Sequence, residues 1–312
     1  MSKRREELFA EDADAGSRLD LFLASCLAGV SRKAIKRALD GGCVFVDGRV
    51  QRRANYLLRG EERVFLTLTG ESPLPAKPEL HILYREDGLI AIDKPAGLLS
   101  HPTVAGRFNA LDLVREALAA EQGGENPILL HRLDADTTGV LLFALNAEAN
   151  RDLARQFAER RVEKTYLALV AGNPPDEFTV RNFLKAGVRG RTIAVTSGGQ
   201  IAETRFRTRS RAAEFALVEA CPKTGRTHQI RAHLAGLGHP LLGDELYGGS
   251  SSLQLSGRCL HLRRHLLHAT RLGFLSSQSR AFMTIHAPLP KDFLPFLTEL
   301  SPAPGVYHRR AE

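Results

Sequence analysis

The chain has no tryptophan, and aromatic residues make up only 6% of its 312 positions. An extended aromatic platform for stacking single-stranded bases is therefore not expected. No apolar run approaches the roughly 20 residues of a membrane-spanning helix. The charged N-terminus lacks the apolar core of a secretion signal, and residues 1–14 read as a flexible tail. The four cysteines, Cys26, Cys43, Cys221 and Cys259, show no C-x-x-C spacing. That excludes the usual zinc cluster or disulfide framework and points to a reducing cytoplasm. Neither a G-x-x-x-x-G-K-[ST] phosphate loop nor a Rossmann glycine fingerprint occurs, and there is no internal repeat.

Acidic charge is also in short supply. The net charge is +8, and it is unevenly distributed. Residues 31–63 hold nine basic residues against four acids, and residues 181–211 hold eight against Glu203 alone. Two concentrated basic segments imply a polyanionic partner, most simply nucleic acid.

A Pro-rich stretch over 71–79 reads as a stiff linker between a small N-terminal module and a large C-terminal one. In the small module, Leu19, Phe22, Leu23 and Cys26 fall on one helical face. Ser31 can cap a second helix, which Gly41-Gly42 ends. On that helix Arg32, Lys33, Lys36 and Arg37 point away from the apolar stripe. Val44 and Val46 then alternate before Asp47-Gly48, a hairpin turn signal. This order resembles the S4 RNA-binding domain over residues 15–70, carried by Arg18-Leu19-Asp20, Ser31-Arg32, the segment 42–48 and Leu58-Arg59-Gly60-Glu61. The resemblance implies that the basic helix lies along RNA backbone.

The large module, 80–303 with a short tail over 304–312, is rich in strands. The pattern predicts them at 81–84, 89–93, 128–133, 140–145, 165–170, 193–195, 204–209, 215–221, 227–233 and 282–286. Helices are predicted at 109–121, 148–160 and 290–297. The expected class is α+β, on a mixed, largely antiparallel sheet.

The segment His131-Arg132-Leu133-Asp134-Ala135-Asp136-Thr137-Thr138-Gly139 lies between two apolar runs. It reads as a polar corner between buried strands. A carboxylate at such a corner is rigidly held and can face a cleft. It can also be a turn aspartate that accepts backbone N–H bonds. A third reading takes Asp134 and Asp136 as the acids of a Mg²⁺-dependent phosphotransferase. That chemistry wants a strand running straight into the first aspartate, where this chain has His131 and Arg132, and no later segment offers an obvious second acidic pair apart from Asp244-Glu245.

The corner resembles the catalytic motif of the RluA-type pseudouridine synthases, and further segments similar to that family follow in order. They are Asp93-Lys94-Pro95-Ala96-Gly97 with His101-Pro102, the segment 164–170, the segment 224–233, the segment 238–244, Leu267-His268-Ala269 and Ala287-Pro288-Leu289-Pro290. Thr138 stands where serine is commoner in the family, and Leu275-Ser276 stand in place of a usual His-Pro.

The resemblance implies isomerisation of uridine in RNA, with the N1–C1′ bond broken and a C5–C1′ bond formed. It needs no cofactor and no metal. It assigns Asp134 as the catalytic carboxylate, either attacking C1′ or taking a ribose proton. Arg231, or else Arg226, is the cation that orients it. Tyr166 stacks on the detached uracil, and its hydroxyl can help remove the C5 proton. Arg132 holds the position that a flipped base vacates, and Arg226 also binds RNA. The implied substrate is 23S-type ribosomal RNA or an assembling large subunit, acted on by a cytoplasmic monomer with no membrane partner. The alternative is a non-catalytic S4-type RNA-binding or ribosome-assembly factor. His261, His265 and His268 recur at helical spacing and read as a solvated or RNA-facing basic helix face.

Overall fold

In the computed structural model, the described residues are 3–27, 30, 32–69, 78–86, 88–102, 108–120, 126–255, 257–276 and 279–302. They form two compact units that divide between Pro78 and Glu79. The predicted linker falls mainly, and the C-terminal tail wholly, outside the described residues.

The smaller unit contains β1 (Lys3–Ala10), α1 (Leu19–Cys26), α2 (Arg32–Asp40), β2 (Val44–Val46), β3 (Arg49–Val50) and β4 (Glu62–Thr69). Its sheet runs in the order β1-β4-β2-β3. Leu19, Phe22 and Leu23 of α1 pack with Ile35 and Leu39 of α2 over Val44, Val46, Val64 and Leu66. Asp47 and Gly48 both take positive φ, which a two-residue turn with the twist of its strands requires. Two expectations fail here. Residues 3–10 are no tail but an edge strand paired along its length with β4, and the run of charges that hid it suits a sheet edge. Cys26, at the last turn of α1, is exposed rather than part of the apolar face. Ser31, the expected cap of α2, lies outside the described residues.

The larger unit comprises β5 (Ile82–Glu86), β6 (Leu89–Lys94), α3 (Ala110–Ala120), β7 (Ile128–Leu129), β8 (Thr138–Ala144), α4 (Ala147–Ala158), β9 (Glu163–Ala171), β10 (Glu177–Ala186), β11 (Thr192–Val195), β12 (Gln200–Arg211) and β13 (Phe215–Pro222). It continues with α5 (Gln229–Gly236), β14 (Ser252–Leu255), β15 (Arg258–His261), β16 (Leu267–Leu275), β17 (Phe282–His286), α6 (Leu294–Leu297) and β18 (Ser301–Pro302). Nine strands run in the order β11-β10-β12-β13-β9-β16-β8-β6-β5, with β7, β17 and β18 appended. The sheet is mixed: β8 and β16 run parallel, and the other pairings are antiparallel. Every residue of β8 is buried, as its unbroken apolar run requires. Leu141 and Phe143 face one core with Val114 and Leu118 of α3, while Val140 and Leu142 face another with Ala149 and Leu153 of α4. Asn146 caps α4 by accepting the backbone N–H of Ala149 at 2.8 Å.

Three local expectations are overturned. Residues 227–233 form no strand; 227–228 are a turn and 229–233 lie in α5. The strand expected over 128–133 shrinks to Ile128–Leu129, which leaves a longer polar corner before β8. His261, His265 and His268 share no helix, because His261 ends β15, His265 is in the following loop and His268 lies in β16.

Candidate active site

The corner between β7 and β8 is held from behind by its own unit. The Lys94 side chain is fully buried at the end of β6. Its ammonium donates to the carbonyls of Pro95, Leu98 and Ala135 at 2.8, 2.7 and 2.7 Å. The Ser100 hydroxyl donates to the Leu133 carbonyl and accepts the Leu133 N–H. Arg264 donates to the Asp136 carbonyl and makes a two-pronged pair with Asp292. Thr137 and Thr138 hydrogen-bond His265 and His268, each at 2.9 Å. His131 accepts the Leu142 N–H through Nε2 and stacks on Phe157. Burial first, then the Lys164 charge, push His131 down to about 3, which keeps it neutral. It shapes the corner and carries no charge at neutral pH.

Asp134 projects from this corner into a cleft of about 880 Å³. Its carboxylate accepts from Arg231 Nη1 at 3.1 Å, and His228 Nε2 lies 3.8 Å away. The Asp134 side chain is 26% exposed, so it faces the cleft without being free in solvent. Arg231 is nearly buried in the first turns of α5, and its other nitrogens clamp the buried Asp244 at 2.7 and 2.8 Å. Burial opposes the guanidinium charge, but Asp244 and then Asp134 outweigh it. Its Cζ atom lies 5.0 Å from the centre of the Tyr247 ring, a cation–π contact. The Tyr247 hydroxyl hydrogen-bonds His228 Nδ1 and both backbone groups of Thr192.

The chain enters α5 through His228 in the left-handed region, φ 52°. The turn before it is fixed by the buried Gln229. The Gln229 Oε1 atom accepts from Thr224 and from the Arg226 N–H, while its Nε2 atom donates to the Glu203 carbonyl and to Thr204. This turn makes α5 start so that Arg231 points at the corner.

Five sequence-predicted residues meet in the cleft: Asp134, Tyr166, Arg231, Arg132 and Arg226. Arg231, not Arg226, contacts the aspartate; Arg226 donates instead to the Ile201 carbonyl at 3.1 Å. Tyr166 is 9% exposed, and burial, followed by the Asp134 charge, raises its hydroxyl above the ordinary tyrosine range. Arg132 is exposed at the rim, 3.5 Å from the Thr227 hydroxyl. On the smaller unit, Arg32, Lys36 and Arg37 are exposed on α2, while the Lys33 side chain is outside the described residues.

Sequence reading misses Asp244, His228 and Tyr247 as parts of the site. Asp244 is readable only as half of a second acidic pair for a metal, but its carboxylate is occupied by Arg231. No local pattern ties it to Asp134, because Arg231 supplies the link.

Residues 88–236 match the family described as RNA pseudouridylate synthase, and residues 17–64 match the S4 domain. An uncharacterized RNA pseudouridine synthase of Aquifex aeolicus is 36% identical, over 88% of this chain and 91% of its own length. The ribosomal large subunit pseudouridine synthase D of Nitrosomonas europaea is also 36% identical, over 96% of this chain and 88% of its own. The corresponding synthase C of Vibrio cholerae is 34% identical, over 93% and 95%. Among solved structures, human RNA pseudouridylate synthase domain containing 4 superposes with a TM-score of 0.57 at 26% identity, covering 71% of this chain and 94% of that one.

Proposed function

The chain belongs to the RNA pseudouridylate synthase family, isomerases acting on RNA, and from that premise we propose that it converts uridines of large-subunit ribosomal RNA to pseudouridine with Asp134 as the catalytic carboxylate. The observation that carries this reading is the ion pair of Asp134 with Arg231 inside a nucleotide-sized cleft that also holds Tyr166.

A uridine stacked in RNA presents neither C1′ nor C5 to a carboxylate, so it must flip into the cleft. Asp134 then attacks C1′ or removes the adjacent ribose proton, and the N1–C1′ bond breaks. Arg231 balances the carboxylate's charge and fixes its direction. The freed uracil turns against the Tyr166 ring, and C5 bonds to C1′ as the Asp134–C1′ bond breaks or, in the other route, as the abstracted proton returns to the ribose. C5 then gives up its proton to solvent and N1 takes one up. Tyr166 acts here as a neutral phenol, since burial opposes the phenolate. Arg132 at the rim occupies the space the base leaves, and Arg226 contacts the flanking backbone. The S4-like region, 15–70, brings Arg32, Lys33, Lys36 and Arg37 to RNA phosphates.

Support for the substrate comes from the names of the Nitrosomonas and Vibrio relatives, both large-subunit ribosomal enzymes. The four cysteines are unpaired, in keeping with a reducing cytoplasm. The described helices include none long and apolar enough to cross a membrane. We place the enzyme in the cytoplasm, as a monomer acting on 23S-type RNA or the assembling large subunit.

The pairing with Arg231 argues against the phosphotransferase reading, because a guanidinium already occupies the carboxylate a Mg²⁺ ion would need. The deciding experiment is tritium release from [5-³H]uridine-labelled ribosomal RNA, by wild type and Asp134→Asn, with EDTA in a parallel sample. Release by wild type alone, indifferent to EDTA, supports the proposal. No release from naked RNA or from precursor subunits overturns it in favour of a non-catalytic assembly factor.

A further inference from the structure

On the sheet face opposite Tyr166, four adjacent strands carry one row of side chains. Arg205 of β12 pairs with Cys221 of β13, and Thr165 of β9 pairs with Arg271 of β16. Because Ala220 pairs with Tyr166, the next position sets Cys221 beside Thr165. The row therefore reads Arg-Cys-Thr-Arg, two long cations flanking two small residues. Three strand spacings separate the arginine backbones by about 14 Å. The small residues leave a hollow of about 300 Å³ between them.

Charge in this hollow is unbalanced. Glu177 is paired with Arg207 at 3.1 Å, and Glu219 with Arg209 at 2.6 Å. Among the described residues, neither Arg205 nor Arg271 is paired with a carboxylate. Arg271 donates to the neutral Thr165 hydroxyl at 3.1 and 3.3 Å. Glu163 is the remaining acid of the lining.

The hollow also borders the catalytic cleft. Strand alternation turns Lys164 and Tyr166 toward the cleft and Thr165 toward the hollow. The two spaces share Val162, Lys164, Pro222 and Lys223, the ridge where β9 begins and β13 ends. Burial first, and then the Lys223 charge, bring the Lys164 ammonium down to about 8. Two cations thus face each other on the ridge, a juxtaposition that an intervening anion relieves.

We infer that a strand of the substrate RNA leaves the catalytic cleft over the Lys164–Lys223 ridge and sets its phosphodiester backbone in the trough between Arg205 and Arg271. The trough is a second RNA subsite, distinct from the carboxylate site and from the S4-like region. It rests on the RNA-substrate reading but not on turnover. Phosphate contacts of this kind add affinity and orientation with little sequence information.

The test uses the full chain and two uridine-rich single-stranded RNAs, one of about 25 nucleotides and one of five, with affinity followed by fluorescence anisotropy across a salt series. Wild type is compared with Arg205→Gln, Arg271→Gln and the double variant. Both arginines are exposed, so the fold survives, which thermal unfolding checks. For the longer RNA, the double variant is expected to bind roughly tenfold more weakly and to lose about 1.4 from its log affinity–log salt slope, with each arginine–phosphate pair supplying ~0.7. Binding of the pentamer, which is too short to fill both the cleft and the trough, should change less than twofold. In wild type, the longer RNA should also shield Cys221 from maleimide labelling, read by peptide mass mapping, while the pentamer should not. An unchanged slope with the longer RNA, an equal loss for both lengths, or unshielded Cys221 overturns the inference. A fall in slope without any tritium release would leave the trough standing and remove the isomerase reading instead.

Discussion

Arg231 meets Asp134 through a single nitrogen, at 3.1 Å, because Asp244 occupies its other side at 2.7 and 2.8 Å. The cleft carboxylate is thus oriented by a cation that is itself anchored in the core. Asp134→Asn removes the reacting charge at nearly constant volume. Tritium release should fall by at least about 1,000-fold with little change in unfolding temperature. Asp244→Asn, by contrast, unbalances a buried pair. It should cost about 3 kcal/mol of stability and lower turnover about 100-fold through misplacement of Arg231. Equal stability of the two variants in urea denaturation would refute this division of labour.

Much of this site is legible in the sequence, and the reasons it is incomplete are physical. Asp134, Tyr166 and Arg231 stand out by their motifs and do share one cleft. The element carrying Arg231 reads wrongly because Thr227, Gln229, Ile230 and Arg231 suit a strand, and α5 starts without a Ser, Thr, Asp or Asn cap. Its start depends on the left-handed His228 and on the Gln229 side chain, which are set by tertiary structure. Edge strand β1 is hidden by its charges, whereas β17 is plain from its pattern over 282–286. Asp244, Lys94 and Arg264 act on the corner across long sequence separations, which periodicity does not reveal.

Four histidines make the larger unit acid-sensitive. Burial is the leading cause in each case, lowering His131 to about 3, His233 and His268 to about 4, and His265 furthest. In the unfolded chain these groups titrate near 6.5, so below that pH the unfolded state binds more protons. Stability is therefore complete above about pH 6.5 and is lost as the pH falls toward the folded values, by roughly 1 kcal/mol per histidine between pH 7.5 and 5.5. Urea midpoints at the two pH values check this. An unchanged midpoint at pH 5.5 would contradict it, and His265→Gln should make the dependence shallower.

Gly139 follows the catalytic corner at φ 109°, where β8 runs beside β16. A Cβ there would sit 2.2 Å from the Ala269 carbonyl oxygen. Backbone cannot yield as a flexible side chain does, so Gly139→Ala should destabilise by about 3 kcal/mol or more. The parallel pairing that positions Thr138 against His268 would be the first casualty. Thermal unfolding at wild-type temperature, with full activity, is the outcome that excludes this role.

Tyr166 keeps its proton throughout the working range, since burial and Asp134 both disfavour the phenolate. The pH profile of turnover should show no tyrosine inflection below pH 10. Tyr166→Phe preserves the stacking ring and removes only the hydroxyl. If that hydroxyl relays the C5 proton, turnover should drop about 100-fold or more while KM stays within a few-fold. A variant as fast as wild type would reduce Tyr166 to a stacking surface.

The basic face of α2 makes a separable contribution. Arg32, Lys36 and Arg37 are exposed, so replacing all three with glutamine leaves the core of that unit, built on Leu19, Leu23 and Ile35, untouched. Each side chain that no longer reaches a phosphate should flatten the salt dependence of RNA binding by about 0.7 to 0.9, giving a total change of about 2 to 3. The weakening should be uniform across RNA sequences, because interactions with the RNA backbone carry no base information. Turnover at saturating RNA should persist while KM rises, since none of the three lines the catalytic cleft. An unaltered salt slope would mean that α2 does not touch RNA, and the S4-like region would then need another explanation for its charge.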